Sequence, residues 1–199
     1  MTSTRNKVAS EDAVPGQILD AARELVLAIG VRRTTATDVA RVAGISRMTL
    51  YRRFPDVQRV LAALLTREFA ALVDVVRAEV HAEQSGRQRL CAMALGVVRR
   101  LGVDPLFTRV LDVDPEVLLP YVIARTGASQ HHILAALRLG IEQGQQDGSI
   151  RAGDPDVSAR TVLLTAQSFA LSARIIEAES DADAVLDELG LLLDRYLTP

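Results

Sequence analysis

The chain is poor in cysteine, histidine and proline, has no long uncharged run, and each shortage closes off a class of explanation. The single cysteine, Cys91, excludes an internal disulfide framework and fits a reducing cytoplasm. Its place in an apolar stretch suggests a packing role. The histidines are His81, His131 and His132; the adjacent pair would point about 100° apart on a helix and cannot easily share an ion. No metal site and no cofactor are therefore expected. The longest uncharged stretch, Thr161 to Ala173, contains Ser, Thr and Gln and is too short to span a bilayer. The opening MTSTRNKVASEDAVPGQ holds no apolar core of a signal peptide, so a soluble, cytoplasmic protein without a membrane partner is expected. No Gly-rich phosphate loop, paired carboxylates or nucleophile–base–orienter set occurs, which makes an enzyme the least expected class.

What remains is a helix-forming composition. Of 199 residues, 49% are hydrophobic, enough for a substantial core in one moderate domain or in a small domain attached to a larger one. Ala, Leu, Arg and Glu recur at helical spacing and no run of alternating β-branched residues appears, so the fold class is all-α. The net charge of −2 conceals an asymmetry. Residues 1–60 carry ten Lys or Arg against six Asp or Glu, and residues 61–199 carry thirteen against nineteen. A basic front on an acidic body is what is expected when one part meets phosphates and the other does not.

Residues 1–14 are polar and read as a flexible arm. A first helix is expected after Pro15-Gly16, with Ile18, Ala21, Ala22, Leu25, Val26 and Ile29 on one face and Gly30 as its stop. Thr35 starts a short helix with Asp38 in a capping-box-like position, Gly44 permits a sharp turn, and Ser46 caps a third helix over about Arg47 to Phe54. Pro55-Asp56 breaks that helix and opens a long fourth one, with an apolar stripe from Val57 to Val80. Further Gly and Asp-Pro punctuation divides the rest into about five more helices. No repeat, low-complexity segment or Gly/Ser-rich linker intervenes, so a continuous fourth helix is expected to join residues 15–60 to residues 61–199.

The stretch TTATDVARVAGISRMTLYRRFPD, Thr34 to Asp56, decides the functional class. Two short helices around a Gly-containing turn form a helix-turn-helix, whose second helix enters the DNA major groove. On a helical wheel Leu50 and Phe54 lie about 40° apart and face inward, whereas Met48 and Arg52 point directly outward with Thr49 and Tyr51 beside them. Such a face is poor as core and suited to reading DNA: Arg forks onto guanine or pairs with phosphate, Thr meets a base edge, and a Tyr hydroxyl holds a phosphate oxygen. The start of the helix after Thr35 presents free N–H groups suited to phosphate.

At these residues the chain closely resembles the TetR family of transcriptional regulators. The resemblance rests on Ala21-Ala22, Leu25, Gly30, Thr34-Thr35, Asp38-Val39-Ala40, Ala43-Gly44-Ile45-Ser46, Thr49-Leu50-Tyr51 and Phe54, and covers about residues 16–65. It implies that Thr35, Arg47, Met48, Thr49, Tyr51 and Arg53 occupy DNA-contacting positions. With Ser46 at the cap and Arg52 on the outward face, these form the candidate DNA-binding set. The chain departs from the pattern at Val57, where many members carry a phosphate-contacting Lys; Arg52, Arg53 or Arg59 are its possible substitutes.

For the body the resemblance implies a ligand-binding core and a dimer interface on the last two long helices. Leu163 and Leu171 on one, and Val185, Leu189, Leu192 and Tyr196 on the other, are the candidate interface residues; complete burial within one subunit is the alternative. Cys91, Met93, Phe107, Leu111 and Leu118 are candidates to line a mostly apolar pocket, with Tyr121, His131, His132, Gln167 and Phe169 adding polar or aromatic anchors, and plain core is the alternative for each. The expected architecture is thus an N-terminal three-helix DNA-binding domain joined by a long fourth helix to a C-terminal helical ligand-binding and dimerisation domain. The expected function is a dimeric repressor that releases double-stranded operator DNA when a small-molecule effector binds. An activator or an effector-independent DNA-binding protein is the alternative.

Overall fold

The computed structural model describes residues 3–81, 85–117 and 128–199, and among these every regular element is helical. Ten α-helices follow in order: α1 (Ser3–Ile29), α2 (Ala36–Val42), α3 (Arg47–Arg53), α4 (Val57–Glu79), α5 (Gly86–Val103), α6 (Pro105–Val113), α7 (Ala128–Gln146), α8 (Pro155–Leu171), α9 (Ala173–Glu179) and α10 (Ala182–Leu197). A 3-10 turn, Pro115–Val117, follows α6. Two compact units result, one of Met1–Phe69 with Arg109–Leu118, the other of Ala70–Thr108 with Leu119–Pro199. This division differs from the expected one at both edges: α4 passes from the first unit into the second, and ten residues from the middle of the chain count with the first.

The expected N-terminal arm is instead the beginning of α1, which runs through Pro15. Pro15 cannot donate a backbone hydrogen bond and its ring crowds the carbonyl four residues back, so this passage costs α1 about 3 kcal/mol relative to an ordinary helical residue. In the first unit, Ile18, Ala21, Ala22, Leu25 and Val26 of α1 are buried, as the helical spacing requires. Val39 and Ala40 of α2, Leu50 of α3, and Val60, Leu61 and Leu64 of α4 are buried in the same unit, and α2 packs on both α1 and α3. On the unit's surface Arg67 bridges Asp20 at 2.7 Å and Glu68 at 2.7 Å, while Arg23 reaches Glu68 at 3.0 Å.

The corner between α1 and α2 is held by a residue no local pattern foretells. Gly30 stops α1 in the left-handed region at φ 86°, and the chain then turns into Val31 and Arg32. The Val31 N–H donates to Asp114 Oδ2 at 2.6 Å, and the Arg32 N–H lies 3.4 Å from the same oxygen. Asp114 is 1% exposed, so this carboxylate has exchanged water for backbone donors. Its neighbours grip the same corner: Arg109 reaches the Ala28 carbonyl at 3.5 Å, and Glu116 pairs with Arg32 at 2.6 Å. A Cβ at Gly30 would stand 2.8 Å from Asp114 Oδ2.

In the second unit α5 packs against α7, α8 and α10. Leu90, Ala94 and Val98 of α5, Ile141 of α7, Ala159, Val162 and Ala170 of α8, and Leu189, Leu193 and Leu197 of α10 form one buried cluster with Ile150. Ser85 and Gln88 close a reciprocal capping box at the start of α5, and Asp154 and Asp181 cap α8 and α10. Among the described residues no helix is long and apolar enough to cross a membrane.

The corner yields a stability prediction. Asp114→Ala leaves the buried Val31 N–H without an acceptor and should cost about 1–3 kcal/mol in urea unfolding. Asp114→Asn, which keeps a carbonyl acceptor, should cost less. Gly30→Ala should destabilise by about 1–2 kcal/mol from the backbone alone, before the carboxylate yields. Equal stability of the Asp114→Ala variant and the wild-type chain would show that Asp114 does not hold the corner.

Candidate nucleic-acid interface

Each short helix of the motif is started by a side chain that supplies an acceptor to an orphan N–H. Thr35 Oγ1 accepts from the Asp38 N–H at 3.2 Å and donates to Asp38 Oδ2 at 2.6 Å. That hydroxyl, with Arg41 adding its charge, holds the Asp38 carboxyl below the usual carboxylate range against a smaller opposing effect of burial. Ser46 Oγ accepts from the Thr49 N–H at 3.1 Å and lies 2.9 Å from Thr49 Oγ1. Between the helices Gly44 takes φ 66°, which a side chain would resist. Both caps and the turn match the reading of the sequence. Phe54 differs: it is the residue after α3, extended at φ −132° and half-buried.

Leu50 is fully buried, and that sets the rotation of α3. Met48 at 77% and Tyr51 at 46% exposure stand on the opposite side, and Arg47, Arg52 and Arg53 are exposed with them. Met48, Thr49, Tyr51 and Arg52 together line a shallow open hollow. The candidate residues separate by what already occupies them. Thr35, Ser46 and Thr49 are engaged in caps, and Arg47 Nη1 lies 3.4 Å from Thr37 Oγ1. Met48, Tyr51 and Arg52 have no hydrogen-bond or ion-pair partner among the described residues. Val57 is half-buried at the start of α4, whereas Arg59 beside it is exposed. Arg32, Arg33 and Arg41 add exposed positive charge to the same unit.

In the second unit Cys91, Met93, Phe107, Gln167 and Phe169 are half-buried, with Cys91, Phe107 and Phe169 packed against the central cluster. Leu111 falls in the first unit and His131 is exposed. Leu118, Tyr121 and the side chain of His132 lie outside the described residues. Among the described residues no group of three or more His, Cys, Asp or Glu is placed to hold a metal ion.

The expected dimer residues are divided. Leu192 is 48% exposed, and Leu163, Leu171 and Val185 are half-buried. Tyr196 is half-buried under the Arg151 guanidinium, 4.5 Å from its ring centre. Leu189 requires correction: it is fully buried in the cluster of its own unit and offers no surface to a second chain. On α8 and α10 the large apolar residues that face out are Val157 (59%) and Leu164 (56%) on the first and Leu191 (48%) beside Leu192 on the second. The first three were missed because α8 and α10 are apolar on more than one face, and periodicity alone does not say which face the core takes.

Burial pushes the Cys91 thiol up to about 11, with the nearby Asp194 carboxylate adding to the shift and Arg87 opposing it. Cys91 should therefore alkylate slowly with iodoacetamide at pH 8 and accelerate only as the pH approaches 11. A rate at pH 8 equal to that of a free thiol would contradict this environment.

The model of bacterial regulatory proteins of the tetR family matches residues 18–64. Over 182 residues, 92% of this chain and 93% of the relative, the chain is 38% identical to an uncharacterized HTH-type transcriptional regulator of Mycobacterium tuberculosis. Its fold is similar to that of a TetR-family transcriptional regulator from Pectobacterium atrosepticum, with a TM-score of 0.69 at 20% identity over 94% of this chain and 93% of that one. It is also similar to the transcriptional regulator FadR from Bacillus subtilis, solved in complex with stearoyl-CoA, with a TM-score of 0.66 at 17% identity over 91% and 98% of the two chains.

Proposed function

The chain belongs to the tetR family of bacterial regulatory proteins and is a DNA-binding transcriptional regulator, and on that premise we propose that it acts as a homodimeric repressor released from its operator by a small, mostly apolar effector. The observation that carries the DNA-reading part is the rotation of α3, which buries Leu50 and leaves Met48, Tyr51 and Arg52 outward without partners. One such helix spans too few base pairs for a selective site, so two copies reading an inverted repeat supply the missing length.

The dimer reading is supported by the outward residues of α8 and α10. Val157, Leu164, Leu191 and Leu192 leave large apolar side chains in water on two helices that also pack on each other. A two-fold interface would bury each patch against its own copy. The effector reading is supported by the half-buried, largely apolar candidates Cys91, Met93, Phe107 and Phe169 in the second unit. The stearoyl-CoA complex of a regulator with a similar fold is an example of one long apolar ligand held by such a fold. An effector that weakens operator binding must itself bind the operator-bound protein less tightly by the same factor, about 5- to 150-fold for a useful coupling.

The test is a titration of inverted-repeat duplexes recovered by selection. The chain should bind them as a dimer, with log affinity falling by roughly 0.9 per neutralised phosphate for each unit of log salt. Leu164→Glu combined with Leu191→Glu should yield monomers in sedimentation and a loss of operator affinity. A double variant that stays dimeric would remove this face from the interface, and an operator affinity that no ligand of an acyl-chain panel alters would remove the apolar effector. In a reporter strain, deletion of the gene should raise transcription from the operator-bearing promoter; a fall would assign activation.

A further inference from the structure

Met48 is 77% exposed, against 46% for Tyr51 and 37% for Val113, the next large apolar side chains exposed in the same unit. Apart from Tyr51, whose ring carries a hydroxyl, every other large apolar residue of α2 and α3 is buried or half-buried, so the chain places one long thioether in water at the centre of its outward face. A thioether offers no donor and only a weak acceptor, so it cannot hold a phosphate or read the hydrogen-bonding edge of a base. The apolar feature that a major groove presents is the C5 methyl of thymine. Met suits that partner because its unbranched, polarisable chain adapts to an irregular apolar contact.

The surrounding side chains sharpen the assignment. Thr49 Oγ1 lies 2.9 Å from Ser46 Oγ and Arg47 Nη1 lies 3.4 Å from Thr37 Oγ1, whereas Met48 between them makes no polar contact. Arg52 lies one helical turn beyond Met48 on the same outward line and has no partner among the described residues. A free guanidinium there matches the paired acceptors O6 and N7 of guanine. Four residues of helix advance about 6 Å, less than two base-pair steps of about 3.4 Å. We propose that Met48 is a specificity-determining residue that selects a thymine through its methyl group, with Arg52 reading a guanine one or two base pairs away. The inference rests on the DNA-reading role of α3 and deepens it to the bases of each half-site.

The experiment uses the full chain and begins with selection from randomised duplexes, which tests the DNA-reading role alone. Each thymine of the recovered half-site is then replaced by deoxyuridine, which removes the methyl and leaves base pairing unchanged. At one position per half-site the wild-type chain should weaken by about fourfold, the worth of one buried methyl group, and by about 15-fold when both half-sites are changed. Met48→Ala should bind thymine and deoxyuridine duplexes equally, with an unchanged thermal midpoint because Met48 is a surface residue. Arg52→Ala should lose the guanine preference one or two base pairs from that thymine. A half-site without thymine, a wild-type chain indifferent to every deoxyuridine, or a Met48→Ala chain with the same methyl dependence as wild type would overturn the assignment while operator binding still stood. A guanine preference that survives Arg52→Ala would overturn the second contact. Failure to recover any selective duplex would instead count against the DNA-reading role itself.

Discussion

The interface depends on one buried side chain. Leu50 has no exposed surface, and burying it is worth about 1.5–3 kcal/mol relative to leaving it in water. No rotation of α3 can keep that gain and also turn Met48 inward, because residues two apart on a helix point in nearly opposite directions. The outward set of Met48, Tyr51 and Arg52 is thus a consequence of core packing rather than a separate design. The caps at Thr35 and Ser46 then limit where α2 and α3 can begin, since each satisfies an N–H that would otherwise be left unpaired.

A second constraint comes from far along the chain. Asp114 meets Val31 across a separation of 83 residues, and its segment is grouped with the DNA-reading unit. A buried carboxylate is costly unless donors replace its water, and here backbone N–H groups just past the end of α1 do so. Arg109 and Glu116 anchor the same short segment to the Ala28 carbonyl and to Arg32. The corner that leads into α2 is consequently set by tertiary contacts as well as by Gly30.

The second unit follows a looser rule. One buried cluster joins α5, α7, α8 and α10, and the remaining surfaces of α8 and α10 keep exposed leucines. Tyr196 shows how such a surface can be satisfied internally: it lies under Arg151, and a hydrogen bond from Thr161, followed by others from Ser158 and Arg151, lowers its phenol below the usual tyrosine value despite burial. Leu189 is closed off more completely, in the middle of the core.

The sequence by itself determined the helical class, the short helices of the motif, their caps at Thr35 and Ser46, the turn at Gly44, and the outward direction of Met48 and Arg52. All of these rest on interactions within about one helical turn, where residue spacing is physical proximity. It did not determine that Leu189 lies inside while Leu164 and Leu191 face out, because a helix apolar on two faces has no preferred one until its neighbours are placed. Nor did it reveal Asp114 at the α1–α2 corner, since an Asp before Pro reads locally as a turn whatever its carboxylate later meets. The start of α1 at Ser3 was hidden for a related reason: Pro15-Gly16 is a breaker by local preference, and a local preference does not by itself decide whether a helix passes through. Tertiary structure decided these points because each depends on partners that the fold brings together from distant parts of the chain, or on a total cost that no single residue sets.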